Sequence, residues 1–431
     1  MCGLVGLYLN NNINLEERFF NSILNNMTNV LKHRGPDNKG IYINKEDKIG
    51  LGFQRLSILD LKRAANQPML SKNKDWIITF NGEIYNFQIL KEKLKRKKDY
   101  WRSSSDSEVV LECISEYGFY DSIKKFNGMF AIAAYCLSEK TLWLARDKFG
   151  EKPLYYNFSH NYGLCFASEL RAFSNVPGFK SQICQEALSQ YIRYGYVPEP
   201  LSIYKNTYKL EPGHIIRYDK KNFMVKKKYW DSVKSYIKAR SKGFKGTFED
   251  AKEQVKNQID KSTRERLVSD VPLGIFLSGG IDSSNLALSL NRQNITSNTF
   301  SIGFYDKKTN ELNFANEVAN ILKTNHSYKY INEEECIDNI ESIVGAYDEP
   351  FSDPSQIPTY MLCKFVKNKI TVAISGEGAD ELFGGYPRYI NIVNFWNKIK
   401  NQPELFTDLM ELLSNSFSSS KYLKLRSIGK K

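Results

Sequence analysis

The second residue of the chain, Cys2, becomes the N-terminal residue if the initiator Met is removed. A free α-amino group has a pKa of about 7.7 to 8.0, so near neutral pH it can act as general base for its own thiol. One residue would then supply both nucleophile and base. The apolar strand predicted over Leu4–Leu9 would hold this terminus in a sheet rather than leave it frayed. Because any second residue can be Cys by chance, the case depends on the segments that follow.

Four polar segments follow Cys2 in the first quarter of the chain: His33–Asp37, Gln54–Ile58, Asn81–Asn86 and Ser105–Glu108. With the terminal Cys, their order and spacing resemble the N-terminal-nucleophile glutaminase domain of class II glutamine amidotransferases. Glutamine bears a carboxylate, an ammonium and an amide. Its site must therefore supply a bidentate cation, a carboxylate and an oxyanion hole, and these segments contain all three.

The resemblance implies a role for each matching residue. Cys2 would attack the amide and release ammonia, and Asn81 with the backbone N–H of Gly82 would stabilise the tetrahedral oxyanion. Arg55 would grip the substrate carboxylate, and Asp106 with the segment that begins at Gly82 would bind the α-amino group. The implied glutamine-binding residues are Arg55, Leu56, Ser57, Ile58, Leu59, Asn81, Gly82, Glu83 and Asp106.

Each of these residues also has a simpler interpretation. Asn-Gly at Asn81 is a common hairpin turn signal, Arg55 is compatible with a surface ion pair, and Asp106 is compatible with capping a helix that starts at Ser107. The joint pattern favours the glutaminase site. His33 could serve as a base, but an N-terminal nucleophile needs none, so we predict a structural role for it.

A second chemical motif, Ser278–Ser284, follows the buried-strand run Leu273–Leu277 and precedes an apolar helix. Strand, glycine-rich turn and helix N-terminus form a phosphate cradle, to which serine hydroxyls add donors. The motif lacks the lysine of a P-loop and the spacing of a dinucleotide fingerprint. The SGGIDSS sequence resembles the pyrophosphate-binding loop of ATP pyrophosphatases, which split ATP into AMP and pyrophosphate to adenylate a substrate.

A third glycine-rich loop, Ser375–Tyr386, again follows a β-branched strand. Carboxylates in such loops at strand ends are suited to hold Mg²⁺ on phosphate oxygens, and Asp282 and Asp380 are the candidates. Capping of the following helices is the simpler role for both. The SGEGADELFGGY sequence closely resembles the matching segment of glutamine-hydrolysing asparagine synthetases, a resemblance that covers essentially the whole chain.

That family resemblance implies an ATP site and a reaction. Glu377 would be the catalytic glutamate of the synthetase half, and ATP and Mg²⁺ would be required. Aspartate would be activated as β-aspartyl-AMP, and ammonia from Cys2 would reach it through an internal channel, giving asparagine, AMP and pyrophosphate. The implied ATP-binding residues are Leu277, Ser278, Gly279, Gly280, Asp282, Ser283, Ser284, Ile302, Ser375 and Gly376. Leu277 and Ile302 are equally compatible with plain core positions.

The acceptor and the C-terminal end leave alternatives open. Family members usually continue into a helical region that supplies a catalytic lysine, whereas this chain ends at Lys431 with no matching lysine. Three explanations of the short C-terminal end stay open. The chain is a fragment, or a truncated reading frame whose synthetase half is impaired so that only a glutaminase is left, or a variant that uses other residues. The segment Asp348–Pro354 resembles a branch found in surface-polysaccharide gene sets, in which a sugar acid would replace aspartate.

The secondary-structure elements that must position these residues follow two different patterns along the chain. Short strands in period-two alternation, interrupted by helices, fill the first 175 residues, and strand–helix alternation begins near residue 247. The predicted fold is α/β multidomain: an αββα four-layer N-terminal-nucleophile domain, then a doubly wound α/β ATP-pyrophosphatase domain. The predicted boundaries are 1–195 for the glutaminase domain, 196–245 for a connecting hairpin and linker, and 246–431 for the synthetase domain, incomplete at its end.

Composition excludes several other classes. The chain of 431 residues has 42% apolar residues and seven scattered cysteines, which indicates a globular cytoplasmic protein with reduced thiols. No apolar run approaches the roughly 20 residues that span a bilayer. The net charge, 61 − 48 = +13, is compatible with nucleic-acid binding. The basic run Lys91–Trp101 could contact the phosphates of such a partner. That run ends an amphipathic helix, so a solvated face is the better interpretation, and we predict no nucleic-acid partner. The family resemblance is compatible with a homodimer.

Overall fold

The computed structural model of the chain describes residues 1–10, 13, 16–159, 162–219, 223–306 and 310–400. Its first compact unit is Met1–Ile374, and a second begins at Ser375. The final 30 residues, in which the sequence indicates no domain, lie outside the described residues. None of the helices within the described ranges is long and apolar enough to cross a membrane.

Sixteen strands lie within these ranges. They are β1 (Gly3–Leu9), β2 (Asn38–Asn44), β3 (Ile49–Arg55), β4 (Met69–Leu70), β5 (Trp76–Ile84), β6 (Gly128–Cys136), β7 (Thr141–Arg146), β8 (Tyr155–Ser159), β9 (Gly163–Ala167), β10 (Thr207–Lys209), β11 (His214–Asp219), β12 (Phe223–Lys228), β13 (Leu273–Phe276), β14 (Asn298–Phe304), β15 (Asn325–Ile331) and β16 (Val372–Ile374).

Fourteen α-helices connect them within the same ranges. They are α1 (Glu17–Asn29), α2 (Phe87–Lys93), α3 (Asp106–Tyr117), α4 (Phe119–Lys125), α5 (Gln185–Tyr194), α6 (Ser232–Lys242), α7 (Phe248–Glu265), α8 (Ile281–Arg292), α9 (Leu312–Leu322), α10 (Glu333–Asp338), α11 (Ile340–Gly345), α12 (Gln356–Val366), α13 (Ala379–Phe383) and α14 (Pro387–Ile399). Short 3₁₀ turns lie at Arg63–Ala65, Lys98–Tyr100 and Leu170–Asn175.

Two six-stranded sheets form the N-terminal half, in the orders β10-β8-β9-β1-β3-β2 and β12-β11-β7-β6-β5-β4. Strand β1 lies inside its sheet, antiparallel to both β3 and β9. All seven of its residues are buried because its two faces meet different layers. Leu4 and Tyr8 pack toward the second sheet, whereas Val5, Leu7 and Leu9 pack with helix α1.

The layers confirm the predicted αββα arrangement. One apolar cluster fills the space between the two sheets. A second lies between the first sheet and helices α1 and α5, and a third lies between the second sheet and helices α2 to α4. The sequence pattern predicts helices over Glu16–Leu31, Asn86–Lys97 and Ser107–Tyr117 in this half, and α4 is an additional helix that it does not predict. Strands β10, β11 and β12 come from the segment predicted as a connector, and they extend these two sheets. The domain boundaries themselves stay a prediction.

The C-terminal half of the first unit is a four-stranded parallel sheet in the order β15-β14-β13-β16. The chain moves outward from β13 to β15 and then returns to the other side of β13, the order of a doubly wound fold. Helices α8 and α9 pack on one face through Ala287, Leu290 and Ala315. Helix α12 covers the other face, where Val366 meets Phe300. The predicted doubly wound fold is therefore confirmed.

Candidate active site

The thiol of Cys2 lies beside the loop that follows β3. The backbone N–H of Leu56 donates to Cys2 Sγ at 3.3 Å, and Sγ lies 3.6 Å from the carbonyl oxygen of Leu56. The pairing of β1 with β3 begins at Gly3 and Gln54, so it brings the two chain segments together just beyond their strands without including Cys2 or Leu56 itself. The nucleophile predicted from position two therefore lies directly before a strand and next to the loop that follows its neighbour.

A cavity opens at this thiol. Its lining contains every predicted residue of the glutaminase site except Ser57, whose backbone N–H instead donates to Asp37 Oδ2 at 2.7 Å. Sequence reasoning missed Lys152 and Gln67, because neither residue belongs to any of the motifs described above. The lining residues are Met1, Cys2, Arg55, Leu56, Ile58, Leu59, Gln67, Phe80, Asn81, Gly82, Glu83, Asp106, Ser107, Met129 and Lys152.

Strand β5 places the side-chain amide of Asn81, a hydrogen-bond donor, in the lining of this cavity. Asn81 is 1% exposed, and within the described residues its Nδ2 atom has no hydrogen-bond partner. An unpaired buried amide is costly unless something binds it, so it marks a place for a ligand oxygen. At the next residue, a Cβ on Gly82 would lie 2.2 Å from the carbonyl oxygen of Met129, which requires glycine there.

Two carboxyl groups, those of Glu83 and Asp106, also line the cavity. Asp106 begins helix α3 and accepts a hydrogen bond from the Ile84 backbone N–H at 2.9 Å. Burial, with the Asp106 carboxylate beside it, raises the pKa of Glu83 to about 9. Burial also raises the pKa of Asp106 to about 6. Without a ligand cation beside them, the two carboxyl groups together therefore keep about one proton near pH 7, on Glu83.

Burial acts on the basic groups of the cavity in the opposite direction. It lowers the pKa of the N-terminal amine, here that of Met1, to about 6. It also lowers the pKa of the Lys152 ammonium, which is 7% exposed. Burial raises the pKa of the Cys2 thiol. The site therefore favours a neutral amine beside a neutral thiol, which is the resting pair that base-assisted thiol attack requires.

The guanidinium of Arg55 is engaged with its own loop. Its terminal nitrogens donate to the carbonyl oxygens of Leu59, Asp60 and Lys62 and to Asn66 Oδ1. These four bonds take up its terminal N–H groups and fasten the loop after β3. A substrate carboxylate would have to use Nε or displace one of these partners. Sequence reasoning anticipated neither this loop nor the burial of the side chain, which is 5% exposed.

His33 lies outside the cavity lining, as its predicted structural role requires. Its Nε2 atom lies 2.9 Å from Glu169 Oε2, and the same carboxylate pairs with Arg34 at 2.7 Å. Arg34 Nε donates to the carbonyl oxygen of Cys2 at 2.9 Å. The His33–Asp37 segment thus supports the nucleophile's backbone rather than its thiol.

The Ser278–Ser284 loop joins β13 to helix α8. Ser278 and Ser283 hydroxyls lie 3.0 Å apart, and Gly280 N–H donates to Ser278 Oγ at 3.2 Å. The Ser284 hydroxyl is buried and, among the described residues, has no partner. Together with the N-terminus of α8, these groups suit an anion. Leu277 is 2% exposed and packs in the apolar cluster under the loop, and Ile302 lies on β14.

Because the Ser278–Ser284 loop is predicted to hold the pyrophosphate of ATP, we expect Gly279→Ala, which distorts that loop, to lower any ATP-dependent turnover at least about tenfold. Gly279 has φ +82°, and a Cβ there would lie 2.5 Å from the backbone nitrogen of Ala315. Gly280→Ala is the matched control, since its Cβ would meet only Ser278 Oγ, at 3.3 Å. Pyrophosphate release measures both. Equal activities in the two variants would contradict this account of the loop.

The Ser375–Tyr386 loop belongs to the second unit. The backbone N–H of Glu377 lies 3.4 Å from Ser375 Oγ, and Gly384 N–H donates to the Asp380 carbonyl oxygen at 2.8 Å. Across the described ranges, no group of three or more His, Cys, Asp or Glu side chains could hold a metal ion alone. Mg²⁺ in nucleotide sites is usually held by one or two carboxylates together with substrate phosphates and water, and Asp282 and Asp380 stay the predicted carboxylates.

The fold and the cavity define a class: a glutamine amidotransferase domain with a cysteine at position two, joined to a doubly wound α/β half. Residues 1–230 match the glutamine amidotransferase domain family, and residues 254–429 match the asparagine synthase family. The chain belongs to the family of glutamine-hydrolysing asparagine synthetases. The predicted family and the predicted class of glutamine-hydrolysing ligase are thereby confirmed.

Individual relatives agree with this placement. The chain is 36% identical over 411 residues to a protein of Methanocaldococcus jannaschii provisionally named asparagine synthetase 2, covering 91% of this chain and 76% of that protein. It is 36% identical to asparagine synthetase 1 of Bacillus subtilis, covering 90% of this chain and 59% of that protein. For asparagine synthetase of Zea mays the identity is 30%, with 90% and 60% covered. The chain thus spans about three fifths of the length of the latter two relatives.

Proposed function

We propose that this chain hydrolyses glutamine at Cys2 and uses the ammonia to amidate an ATP-activated carboxylate, with aspartate as the acceptor and asparagine as the product. The observation that carries this proposal is the cavity that brings Cys2, Asn81, Glu83 and Asp106 together. The Ser278–Ser284 loop in the same unit supports the ATP-dependent half.

In the proposed first half-reaction, the Cys2 sulfur attacks the amide carbon of glutamine while the terminal amine takes the thiol proton. Asn81 Nδ2 and the Gly82 N–H stabilise the oxyanion. Collapse of this intermediate expels ammonia, which carries the proton away, and leaves a γ-glutamyl thioester. Water then releases glutamate and restores the thiol. Asn81 Nδ2, which has no partner among the described residues, supports this assignment because it is a buried donor available to a substrate oxygen.

This step requires removal of Met1, because the amine must belong to Cys2. Burial lowers the pKa of an amine at this end of the chain, as it does for Met1. The neutral base would then prevail at pH 7, whereas an ordinary α-amino group with a pKa near 8 would be mostly protonated. Intact-mass spectrometry of the purified protein checks for the missing methionine.

We expect glutamine binding to release up to about one proton at pH 7. The pKa of Glu83 is raised to about 9 and that of Asp106 to about 6, so the empty pair retains a proton. The α-ammonium of glutamine stabilises the ionised carboxylates and lowers both pKa values, so that affinity rises with pH between 7 and 9. Calorimetry of the inactive Cys2→Ala variant in two buffers of different ionisation enthalpy measures the proton count. Proton uptake, or no exchange, would contradict this assignment.

In the proposed second half-reaction, an aspartate carboxylate oxygen attacks the α-phosphorus of ATP and displaces pyrophosphate. The Ser278–Ser284 loop receives the pyrophosphate through its N–H and hydroxyl donors. Mg²⁺, when bound, would neutralise phosphate charge, with Asp282 as the protein ligand in this loop. Ammonia then attacks β-aspartyl-AMP and displaces AMP. The roles of Ser375, Gly376, Glu377 and Asp380, and an internal channel for ammonia, are parts of this proposal taken from the family resemblance.

The test is pyrophosphate release from ATP and Mg²⁺ with ammonium chloride, with and without aspartate. Added ammonia bypasses Cys2, so the measurement isolates the second half-reaction. We expect aspartate-dependent pyrophosphate and equimolar asparagine. Release that requires a uronic acid instead would replace the acceptor. No release with either acceptor, while Cys2-dependent glutaminase activity persists, would reduce the function to glutamine hydrolysis.

A further inference from the structure

Glu169 is a buried carboxylate placed among a histidine and two arginines just after β9. It is 9% exposed, and its oxygens lie 2.9 Å from His33 Nε2, 2.7 Å from Arg34 and 3.0 Å from Arg171 Nε. Burial acts to raise the pKa of Glu169, but the hydrogen bonds from His33 and Arg34 outweigh it and lower that pKa. A carboxylate held in this way keeps its charge and fixes its partners.

On one side, this cluster reaches the nucleophile. Arg34 divides its guanidinium between Glu169, through its terminal nitrogen, and the Cys2 carbonyl oxygen, through Nε. The Cys2 carbonyl precedes β1 and is therefore not fixed by the sheet pairing, which begins at Gly3. The direction of the Cys2 side chain thus depends on the place where Glu169 holds Arg34.

On the other side, the cluster reaches the C-terminal half of the unit. Arg171 Nε donates to Asp348 Oδ1 at 2.6 Å, and its backbone N–H donates to Asp348 Oδ2 at 2.8 Å. A terminal nitrogen of Arg171 donates to the Gly345 carbonyl oxygen at 3.1 Å. Cys2, Arg34, Glu169, Arg171 and Asp348 therefore form one continuous chain of polar contacts.

The loop that contains Asp348 lies at the carboxyl edge of the parallel sheet. It connects α11 to α12, and α12 leads directly into β16. In a β-α-β crossover the helix runs antiparallel to its strands, so the N-terminus of α12 lies at the carboxyl edge of the sheet. Ligands of doubly wound sheets bind at that edge, where the Ser278–Ser284 loop also leaves β13.

A second contact holds the same loop without reaching Cys2. Glu349 accepts a hydrogen bond from the Ile203 backbone N–H at 2.8 Å and pairs with Lys209 at 2.6 Å. Neither Glu349 nor Lys209 has a described contact with Arg34 or Glu169. Lys209 therefore provides a control for docking of the loop as distinct from communication with the nucleophile.

We propose that Glu169 and Arg171 are positioning residues that join the backbone of Cys2 to the Asp348 loop, so that ligands of the synthetase half change the rate of glutamine hydrolysis through this chain of contacts. The inference rests on the proposed function. It assigns to Glu169 the orientation of the nucleophile and to Arg171 the link between the two reactions.

The first test is Glu169→Gln, which removes the charge and keeps the size. We expect the glutaminase kcat to fall about tenfold while KM for glutamine changes by less than about twofold, because a misdirected nucleophile reacts slowly without weakening substrate binding. Glu199→Gln is the control, since it breaks the Arg146–Glu199 pair at 3.2 Å and leaves His33 and Arg34 untouched. An unchanged kcat, or a loss confined to KM, would overturn the role of Glu169.

The second test compares glutaminase kcat/KM with and without ATP, Mg²⁺ and aspartate. We expect the parent protein to respond at least about fivefold, and Arg171→Met and Asp348→Asn to lose that response. The double variant should lose no more than either single variant. Lys209→Met should respond like the parent. A normal response in Arg171→Met would overturn the link through Arg171.

The two proposals fail in different ways. If the parent protein releases pyrophosphate with ammonium but its glutaminase ignores ATP and aspartate, the link is wrong and the proposed function stands. If ammonium supports no pyrophosphate release, the proposed function is wrong. In that case, the kcat and KM of Glu169→Gln still decide whether Glu169 positions Cys2.

Discussion

Cys2→Ala should abolish glutamine-dependent product formation, with a loss of at least about a thousandfold in glutaminase kcat, the scale expected when a covalent nucleophile is removed. Leu56 touches the Cys2 sulfur through its backbone only, so truncation at Cβ breaks no side-chain network. Glutamate released from glutamine measures the loss. The melting temperature should stay within a few degrees of the parent value.

The same variant supplies its own control, because ammonium chloride replaces glutamine as the nitrogen source. Pyrophosphate release with ammonium should continue in Cys2→Ala at about the parent rate, since the Ser278–Ser284 loop is built by β13 and α8 and not by the cavity. Residual glutaminase activity within tenfold of the parent would show that another group performs the attack. Cys184 is one other thiol that is not fully buried.

Asn81→Ala and Asn81→Asp should each lower glutaminase kcat about 100- to 1,000-fold, the effect of losing one oxyanion donor. The substitution by Asp keeps the size and removes the N–H, so it isolates the donor from the packing. Because Asn81 Nδ2 has no partner among the described residues, its removal should not lower the melting temperature by more than a few degrees. Steady-state kinetics with glutamine measure the expected change.

Thr79 is the matched control for Asn81. It lies two residues earlier on β5, is fully buried, and its hydroxyl likewise has no partner in the described part of the chain. It does not line the cavity. Thr79→Val should therefore leave glutaminase kcat within about twofold of the parent. Similar losses for Thr79→Val and Asn81→Asp would mean that the strand, and not the amide donor, sets the rate.

Local patterns predicted the elements with strong periodicity. Helical periodicity in the sequence predicts a helix over Gln185–Tyr194, and period-two alternation predicts strands over Thr141–Arg146 and Gly163–Ala167. Helix α5 and strands β7 and β9 occupy these ranges. Helix α4 was missed because seven residues directly after α3 carry too short a pattern to separate from it. Strand β12 carries three consecutive lysines on a sheet edge, a composition that resembles a solvated connector.

Side-chain partners formed over long sequence separations could not be predicted in the same way. The motifs led to the cavity residues because each motif contributes a chemical group that has a recognisable role. Lys152 has no such local signal, since the fold alone brings it to the cavity. The same holds for the Arg171–Asp348 pair, whose members are separated by 177 residues. That part of the architecture depends on how the two halves of the unit pack.

The interior position of β1 sets an order of events for maturation. This strand needs β3 and β9 as neighbours, and the latter ends at Ala167, so its place in the sheet cannot form until well over a third of the chain has been synthesised. The terminus emerges from the ribosome first and stays accessible during that interval. Under the proposed mechanism, excision of the initiator methionine would have its longest period of access on the nascent chain, before β1 is enclosed by its neighbours. An affinity tag fused ahead of Cys2 would abolish the terminal amine permanently, whereas one at the other end of the chain would not.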